Sequence, residues 1–228
     1  MTARARGILL TAAMAGSLSR PGSAHDPPRT TVTWTGDIAR VVGARCIKCH
    51  SPDGKGPMSL VTYEDARPWA SAMREEVLAR RMPKWHAARG YGEFSNDPTL
   101  SPFDIALIVA WVDGGAVRGD PSKVDQPIPP AATSAPPPDT RSLTLPCGDR
   151  ALPVGRLLGL RPELVEGASA GFSVSFPDRR QHIVAWIREY EAEFAETYWL
   201  ETPLILSRGS RLRVDGDPGC RVTLFLAR

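Results

Sequence analysis

The chain has 228 residues, a hydrophobic content of 42% and a formal net charge of +3. Four cysteines are too few for a small disulfide-dense protein. The charges are interspersed and form no basic stripe with aromatic residues, which argues against binding to nucleic acid or to an anionic membrane surface.

Residues 1–24 have the pattern of a secretory signal peptide. Two arginines precede an apolar run from Gly7 to Leu18, and small residues end the segment at Ala24. This run is too short to cross a bilayer as a helix, and the later apolar runs are shorter still. We therefore expect a soluble, exported protein, periplasmic or otherwise, with no membrane span. Loss of the segment would leave the mature chain close to neutral.

Residues 34–118 are predicted to form a small helical domain. Apolar residues at helical spacing and two capping patterns, each with an acidic residue three positions after a threonine or serine, predict three helices. The signals place these helices from Asp37 to the first cysteine pair, from Thr62 to Arg81 and from Ser101 to Gly114. Three helices with long loops leave a thin core, which a flat apolar cofactor would fill.

The stretch RCIKCH, Arg45 to His50, is the strongest chemical signal in the sequence. A thioredoxin-like redox pair belongs in a βαβ context, which is missing here. A structural zinc site would need a fourth ligand such as His86. Covalent attachment of haem needs two thiols at this spacing and an imidazole directly after the second thiol. The pattern therefore favours one haem c, bound by Cys46, Cys49 and His50.

The second axial ligand of such a haem is predicted to be Met82. This residue lies where a predicted helix ends, and Pro83 fixes the local turn. Met58 is close to His50 in sequence, and Met73 lies in the middle of a predicted helix, where core packing is its ordinary role. His86 remains the alternative ligand. Histidine and methionine together would leave no open iron position, which favours electron transfer over catalysis.

A resemblance to a known family supports this interpretation. The stretches CIKCH, TYEDARPWA, RMPKWHA and AWVDGGA, within residues 37–121, resemble a family of small exported c-type cytochrome domains. The resemblance implies that Cys46 and Cys49 are thioether anchors, that His50 is the proximal ligand and that Met82 is the distal ligand. Lys84 stands where these relatives often have a second proline, which affects only the rigidity of the loop.

Residues 119–140 are predicted to be an extended linker, because they contain seven of the 22 prolines and almost no large apolar residue. Residues 141–228 then show short runs of alternating or β-branched residues separated by turn signals, which predicts an antiparallel β-sandwich of about seven strands. Cys147 and Cys220 adjoin its first and last strands. Outside the cytoplasm a disulfide between them is favoured, with two buried free thiols as the alternative.

The second half also resembles a known family. The stretch from His182 to Val214 is similar to the closing strands of the β-sandwich domains of copper-dependent, ascorbate-type monooxygenases, which follow such cytochrome domains in fused proteins. Copper in that family is bound by histidines and a methionine, whereas this half has one histidine and no methionine. We therefore expect a metal-free accessory domain.

The predicted fold class is α+β, with a small all-α cytochrome c-like domain followed by a C-terminal antiparallel β-sandwich. The predicted function is single-electron transfer with a redox partner protein. Two alternatives stay open. One is a haem-dependent or monooxygenase-associated enzyme subunit, and the other is a Cys/His zinc-binding module.

Overall fold

The computed structural model describes residues 31–123, 139–216 and 219–228. The predicted signal peptide and most of the predicted linker at 119–140 lie outside the described residues, so both stay predictions. Helices occupy the first part of the described chain and two antiparallel sheets occupy the second, which confirms a mixture of α and β structure. We call residues 31–123 the helical unit, and the described residues from 139 onward the sheet unit.

The helical unit contains helices at the predicted places. The bounds are a π-helical turn at Trp34–Ile38, α1 at Ala39–Arg45, α2 at Tyr63–Ala66, a 3-10 turn at Arg67–Trp69, α3 at Ala70–Leu78 and α4 at Pro102–Asp113. Both predicted capping boxes are present: Thr62 and Asp65 cap α2, and Ser101 and Asp104 cap α4. These caps satisfy amide groups that have no partner within the helix, and they explain why each helix begins where it does.

In the core of the helical unit, residues near the start of the unit contact residues near its end. The Trp34 amide donates a hydrogen bond to the Val117 carbonyl at 3.0 Å, and the Trp34 and Trp111 rings lie 5.8 Å apart. Helix α3 packs against α4. Because α1 and α2 are short and joined by a long loop, this packing fills only part of the space between the elements, and a cavity remains beside the cysteine pair.

The sheet unit contains two four-stranded antiparallel sheets, with the strand orders β1-β8-β3-β6 and β2-β7-β4-β5. The strands are β1 (Arg141–Pro146), β2 (Arg150–Ala151), β3 (Gly155–Glu163), β4 (Ala170–Ser175), β5 (Gln181–Ile187), β6 (Tyr198–Leu206), β7 (Arg211–Gly216) and β8 (Arg221–Ala227). The described residues thus form eight strands, against about seven predicted. The strand-like runs recognised in the sequence include neither the two-residue β2 nor β3, which lies between β8 and β6.

One hydrophobic cluster contains buried side chains from both sheets, including Leu160 of β3 and Phe172 of β4. Burial of this shared apolar area is the main stabilising contribution in this half of the chain. Cys147 and Cys220, both buried in this cluster, form a disulfide with their Cα atoms 5.4 Å apart. The predicted disulfide is confirmed.

A segment of the helical unit, residues 85–96, crosses to the sheet unit; we call it the bridging segment. Ala87 forms an antiparallel bridge with Ile187 of β5, and Phe94 forms one with Leu200 of β6. Since β5 and β6 are each the last strand of their sheet, this segment covers one edge of both sheets. Ala87 and Phe94 are also buried in the cluster that the sheets share. No local pattern in the sequence predicts this contact.

Candidate cofactor site

The CIKCH stretch forms a tight turn at the end of α1. The amides of Cys49 and His50 both donate to the Cys46 carbonyl, at 3.1 and 2.9 Å. Cys46 and Cys49 are both free thiols and both partly buried. Burial, with a smaller contribution from the neighbouring Cys49, raises the pKa of the Cys46 thiol to about 12. Cys46 is therefore a neutral thiol at physiological pH.

The His50 ring is oriented by one hydrogen bond. Its Nδ1 lies 3.1 Å from the Met58 carbonyl oxygen. Because a carbonyl can only accept, Nδ1 carries the proton and donates, which leaves the lone pair on Nε2 available to a metal. The loop between Cys49 and Met58 thus determines which nitrogen of His50 can act as a ligand.

Gly56 lets this loop approach the imidazole closely. A Cβ atom added at Gly56 would lie 2.6 Å from His50 Nδ1, a separation that real Cβ atoms essentially never show. The Gly56 amide also donates to the Cys49 carbonyl at 2.7 Å, and the Leu60 amide donates to the His50 carbonyl at 2.9 Å. The segment 54–60 is therefore packed directly against the CIKCH turn.

A cavity of about 610 Å³ lies against this turn. Its volume falls within the roughly 300–1,000 Å³ of typical cofactor and ligand pockets. Cys46, Cys49, His50 and Met82 all line it, so four residues from two separate stretches of sequence meet at one site. Apolar side chains from the helical core complete much of the wall, among them Leu60, Val77 and Ile108. Two more methionines, Met58 and Met73, also line the cavity.

His86, the alternative predicted ligand, is not among the residues that line this cavity. It is 7% exposed and lies at the junction with the sheet unit, where its Nε2 accepts a hydrogen bond from the Glu191 amide at 3.3 Å. Burial is the main reason that the pKa of His86 lies below its usual value of 6.5. His86 therefore contacts the sheet unit and, unlike Cys46, Cys49 and His50, does not line the cavity.

The sheet unit supplies part of the cavity wall, which sequence analysis did not predict. Phe194 and Glu196, from the connection between β5 and β6, line the cavity together with the cysteine pair. The one sequence signal for this contact is charge: the connection contains EYEAEFAE, while lysines lie at 48, 55 and 84 of the helical unit. Opposite charges of this kind favour contact but do not identify which segments meet.

Within the described residues, no group of three or more histidine, cysteine, aspartate or glutamate side chains is arranged to hold a metal ion. A site whose metal ligands are one histidine and one methionine contains only one side chain of these four types, so the absence of such a group is compatible with it. In the sheet unit, His182 is an exposed residue of β5. No helix in the described part of the chain is long and apolar enough to cross a membrane.

The residues around the cavity have the donor chemistry that a covalently attached haem requires. Two unbridged thiols can each form a thioether bond, and an imidazole whose Nδ1 is already hydrogen-bonded can offer Nε2 to iron. A methionine thioether lines the same apolar cavity. The residues present therefore fit this group.

Comparison with known proteins identifies no relative. A scan against protein-family models and a search of curated proteins gave no match. Among solved structures, a match is a pentameric capsid protein isolated from metagenomic phage sequences, at 14% identity and a TM-score of 0.28. It covers 40% of this chain, and the chain spans 62% of that protein. A likeness this weak carries no argument about fold or function.

Proposed function

We propose that the chain is an exported monohaem c-type cytochrome that transfers single electrons, with the sheet unit as a metal-free accessory domain. The observation that supports this proposal most directly is the meeting of Cys46, Cys49, His50 and Met82 around one apolar cavity of about 610 Å³. The resemblance of residues 37–121 to small c-type cytochrome domains points to the same function.

Each of these residues has a separate role in the proposal. The thiols of Cys46 and Cys49 would hold the haem through thioether bonds, and His50 Nε2 would be one ligand of its iron. The Met58 carbonyl fixes the orientation of His50 through the 3.1 Å hydrogen bond. The Met82 sulfur would be the second side-chain ligand of the iron. A haem bound in this way supplies a one-electron couple between ferric and ferrous iron.

The choice of Met82 among three methionines follows from their positions. Met58 holds His50 through its own carbonyl, which associates it with the proximal side. Met73 lies within α3 and packs against the helical core, where a thioether has an ordinary packing role. Met82 lies beyond the end of α3 in a loop that faces the cavity. A loop position leaves its side chain free to turn toward the iron.

Electron transfer is favoured over catalysis because the proposed histidine and methionine occupy both axial positions. The buried side chains of Leu60, Val77 and Ile108 make part of the cavity wall apolar, and apolar surroundings of a haem favour a higher reduction potential. We propose a redox protein as the partner and an exported, periplasmic-type location. The two free thiols and the predicted signal peptide are compatible with attachment of haem after export.

The test is a reduced-minus-oxidised absorption spectrum of protein produced together with haem-maturation machinery. We expect the bands of one low-spin c-type haem and a sulfur-to-iron charge-transfer band in the oxidised protein. Binding of an external ligand to the ferrous protein without displacement of a methionine would contradict electron transfer and favour a haem enzyme. Zinc without iron in metal analysis would contradict the proposal and favour a zinc-binding module.

A further inference from the structure

The connection between β5 and β6 lies across one side of the cavity. We call residues 188–197 the acidic loop, because they contain four glutamates. Phe194 and Glu196 of this loop line the cavity together with Cys46, Cys49 and His50. The acidic loop therefore belongs to the sheet unit in sequence but forms part of the site in the helical unit.

Three lysines of the helical unit hold the acidic loop in place. The Lys48 ammonium lies 2.8 Å from a Glu196 carboxylate oxygen, and the Lys84 ammonium lies 2.6 Å from one of Glu191. Lys55 donates to the backbone carbonyl of Glu193 at 2.7 Å. All three lysines also line the cavity. One face of the site is thus cationic and covered by an anionic segment of the same chain.

Lys84 makes a second contact with the loop. Its ammonium lies 5.4 Å from the centre of the Phe194 ring, within the range of a cation–π interaction. Phe194 is only partly buried although it lines an apolar cavity. The ring is therefore positioned as a wall of the cavity by the same lysine that binds Glu191.

The acidic loop is anchored to the sheet unit as well. The Tyr190 amide donates to the Ala168 carbonyl at 2.9 Å, and the Ala192 amide donates to a Glu166 carboxylate oxygen at 3.0 Å. The Gly167 amide donates to the Tyr190 carbonyl at 2.7 Å. These bonds fix the backbone of residues 190–192 to the sheet unit without any contribution from the lysines. At its two ends the loop is also bound to the helical unit, by the Arg188 amide to the His86 carbonyl and by the Asn96 side-chain amide to the Thr197 carbonyl. The lysine contacts therefore hold the part of the loop between these ends against the cavity.

We propose that the acidic loop is a built-in cap over the lysine-lined side of the cavity. Its carboxylates occupy the cationic surface that an acidic partner protein would otherwise contact, and Phe194 separates the cavity from water. This inference deepens the proposed function, since its redox consequence rests on a bound haem. The closing of the cavity itself requires no haem, so it can be tested separately.

The first experiment uses the full chain without haem and measures the rate at which N-ethylmaleimide labels Cys46 and Cys49, followed by mass spectrometry. The variants are Glu191→Gln/Glu196→Gln, which removes both ion pairs, and Phe194→Ala, which opens the wall without a change of charge. Exposed ion pairs contribute modestly, so we expect labelling to become about three- to tenfold faster. Raising the ionic strength to 1 M should accelerate labelling of the wild-type chain.

Matched controls distinguish an effect of the cap on the labelling rate from an effect of general destabilisation. Asp149→Asn/Asp178→Asn also removes two carboxylates that form ion pairs in the sheet unit, with Arg211 and Arg180, but neither aspartate lines the cavity. Phe103→Ala truncates an exposed phenylalanine of α4. Both controls should label at the wild-type rate. Equal rates in cap and control variants would overturn the proposal. Acceleration in the charge variant alone would reflect thiol ionisation and would overturn it too.

The second experiment uses the haem-loaded protein and measures its reduction potential. Opening the cap admits water to the cofactor, so Phe194→Ala should lower the potential while Phe103→Ala leaves it unchanged. An unchanged potential in Phe194→Ala would contradict the redox consequence of the cap. If the labelling differences are observed but the chain never acquires haem, the proposal of a cap stands and the proposed cytochrome function is refuted. The two failures are therefore distinguishable.

Discussion

At the scale of single residues, the candidate site depends on which side chains reach one cavity. Cys46, Cys49 and His50 are adjacent in sequence, so their meeting follows from the turn at the end of α1. Met82 comes from a loop more than thirty residues later and lines the same space. This long-range meeting is the reason for proposing a cofactor site here, since a chance CIKCH stretch has no need of a distant methionine beside it.

Met82→Ala tests the distal ligand. We expect the haem to stay covalently attached, the sulfur-to-iron charge-transfer band to disappear, and the reduction potential to fall by on the order of 100 mV, within the roughly 0.8 V range that axial ligands cover. Absorption spectroscopy and potentiometry measure these effects. Met73→Ala is the matched control, because Met73 lines the same cavity from α3 and should keep the band. Loss of the band in Met73→Ala alone would reassign the ligand.

Gly56→Ala tests the support of the proximal imidazole. The added methyl group would lie 2.6 Å from His50 Nδ1, so either the ring or the loop has to move. Overpacking of this kind costs roughly 1–3 kcal/mol in the free energy of unfolding. We expect a lower melting temperature and a smaller yield of haem-loaded protein. Asp53→Ala, at an exposed position of the same loop, should change neither quantity; equal behaviour of both variants would refute this role of Gly56.

At the scale of elements, the disulfide gives a separate prediction for the sheet unit. Cys147 and Cys220 are 73 residues apart in sequence, so the bond removes much conformational freedom from the unfolded chain. We expect Cys147→Ala/Cys220→Ala to lower the free energy of unfolding by about 2–5 kcal/mol, measured by chemical denaturation. A reducing agent should destabilise the wild-type chain and leave the variant unchanged. Equal stability of the two oxidised proteins would contradict the prediction.

The helices were predictable because their signals are local. Thr62 with Asp65 and Ser101 with Asp104 form capping boxes within four residues, so the sequence alone places α2 and α4. Strand β3 escaped prediction for the opposite reason. It has four consecutive buried residues, from Leu157 to Leu160, and lacks the alternation by which a half-exposed strand is recognised. Its β-bulge between Leu157 and Gly159 further disturbs the alternation.

The cysteine pair and His50 were equally predictable from sequence, whereas the surroundings of the site were not. The bridging segment and the acidic loop form hydrogen bonds with residues of the other unit that lie between 98 and 148 positions away in the sequence, as in the pairs Ala88–Trp186 and Lys48–Glu196. Such contacts depend on which sheet edges are free and on how two units meet. Neither is encoded in a short stretch of sequence. The contacts of His86 with the sheet unit could not be predicted for the same reason.

At the scale of the whole molecule, the two units are joined through a buried histidine. The His86 carbonyl accepts from the Arg188 amide at 2.9 Å, while its ring accepts from the Glu191 amide. The groups around the ring act in both directions on its pKa. Burial lowers it most and Lys84 lowers it further, whereas Glu191, Glu166 and Glu196 raise it. The net result is a pKa below the usual value.

This environment predicts a loss of stability in mild acid. Because the pKa of His86 is lower in the folded chain than in the unfolded chain, the unfolded state binds the proton more readily. The contribution of His86 is therefore fully present above the unfolded-state pKa of about 6.5, and it is lost as pH falls from there toward the folded-state pKa.

Chemical denaturation between about pH 7.5 and 5 checks this expectation. The His86→Gln variant should show a shallower decline in the free energy of unfolding than the wild-type chain over this interval. His182→Gln is the matched control, since His182 is exposed on β5 and should leave the wild-type slope unchanged. A slope in His86→Gln as steep as that of the wild-type chain would refute the role of His86.

The central claim is that one haem is bound covalently through the cysteine pair, and the intact mass of the exported protein tests it most directly. After denaturation and removal of small molecules, we expect the mass of the chain without residues 1–24, increased by the mass of one haem. The Cys46→Ala/Cys49→Ala variant should show the polypeptide mass alone. An exported wild-type chain that also has only its polypeptide mass, despite active haem maturation, would contradict the account.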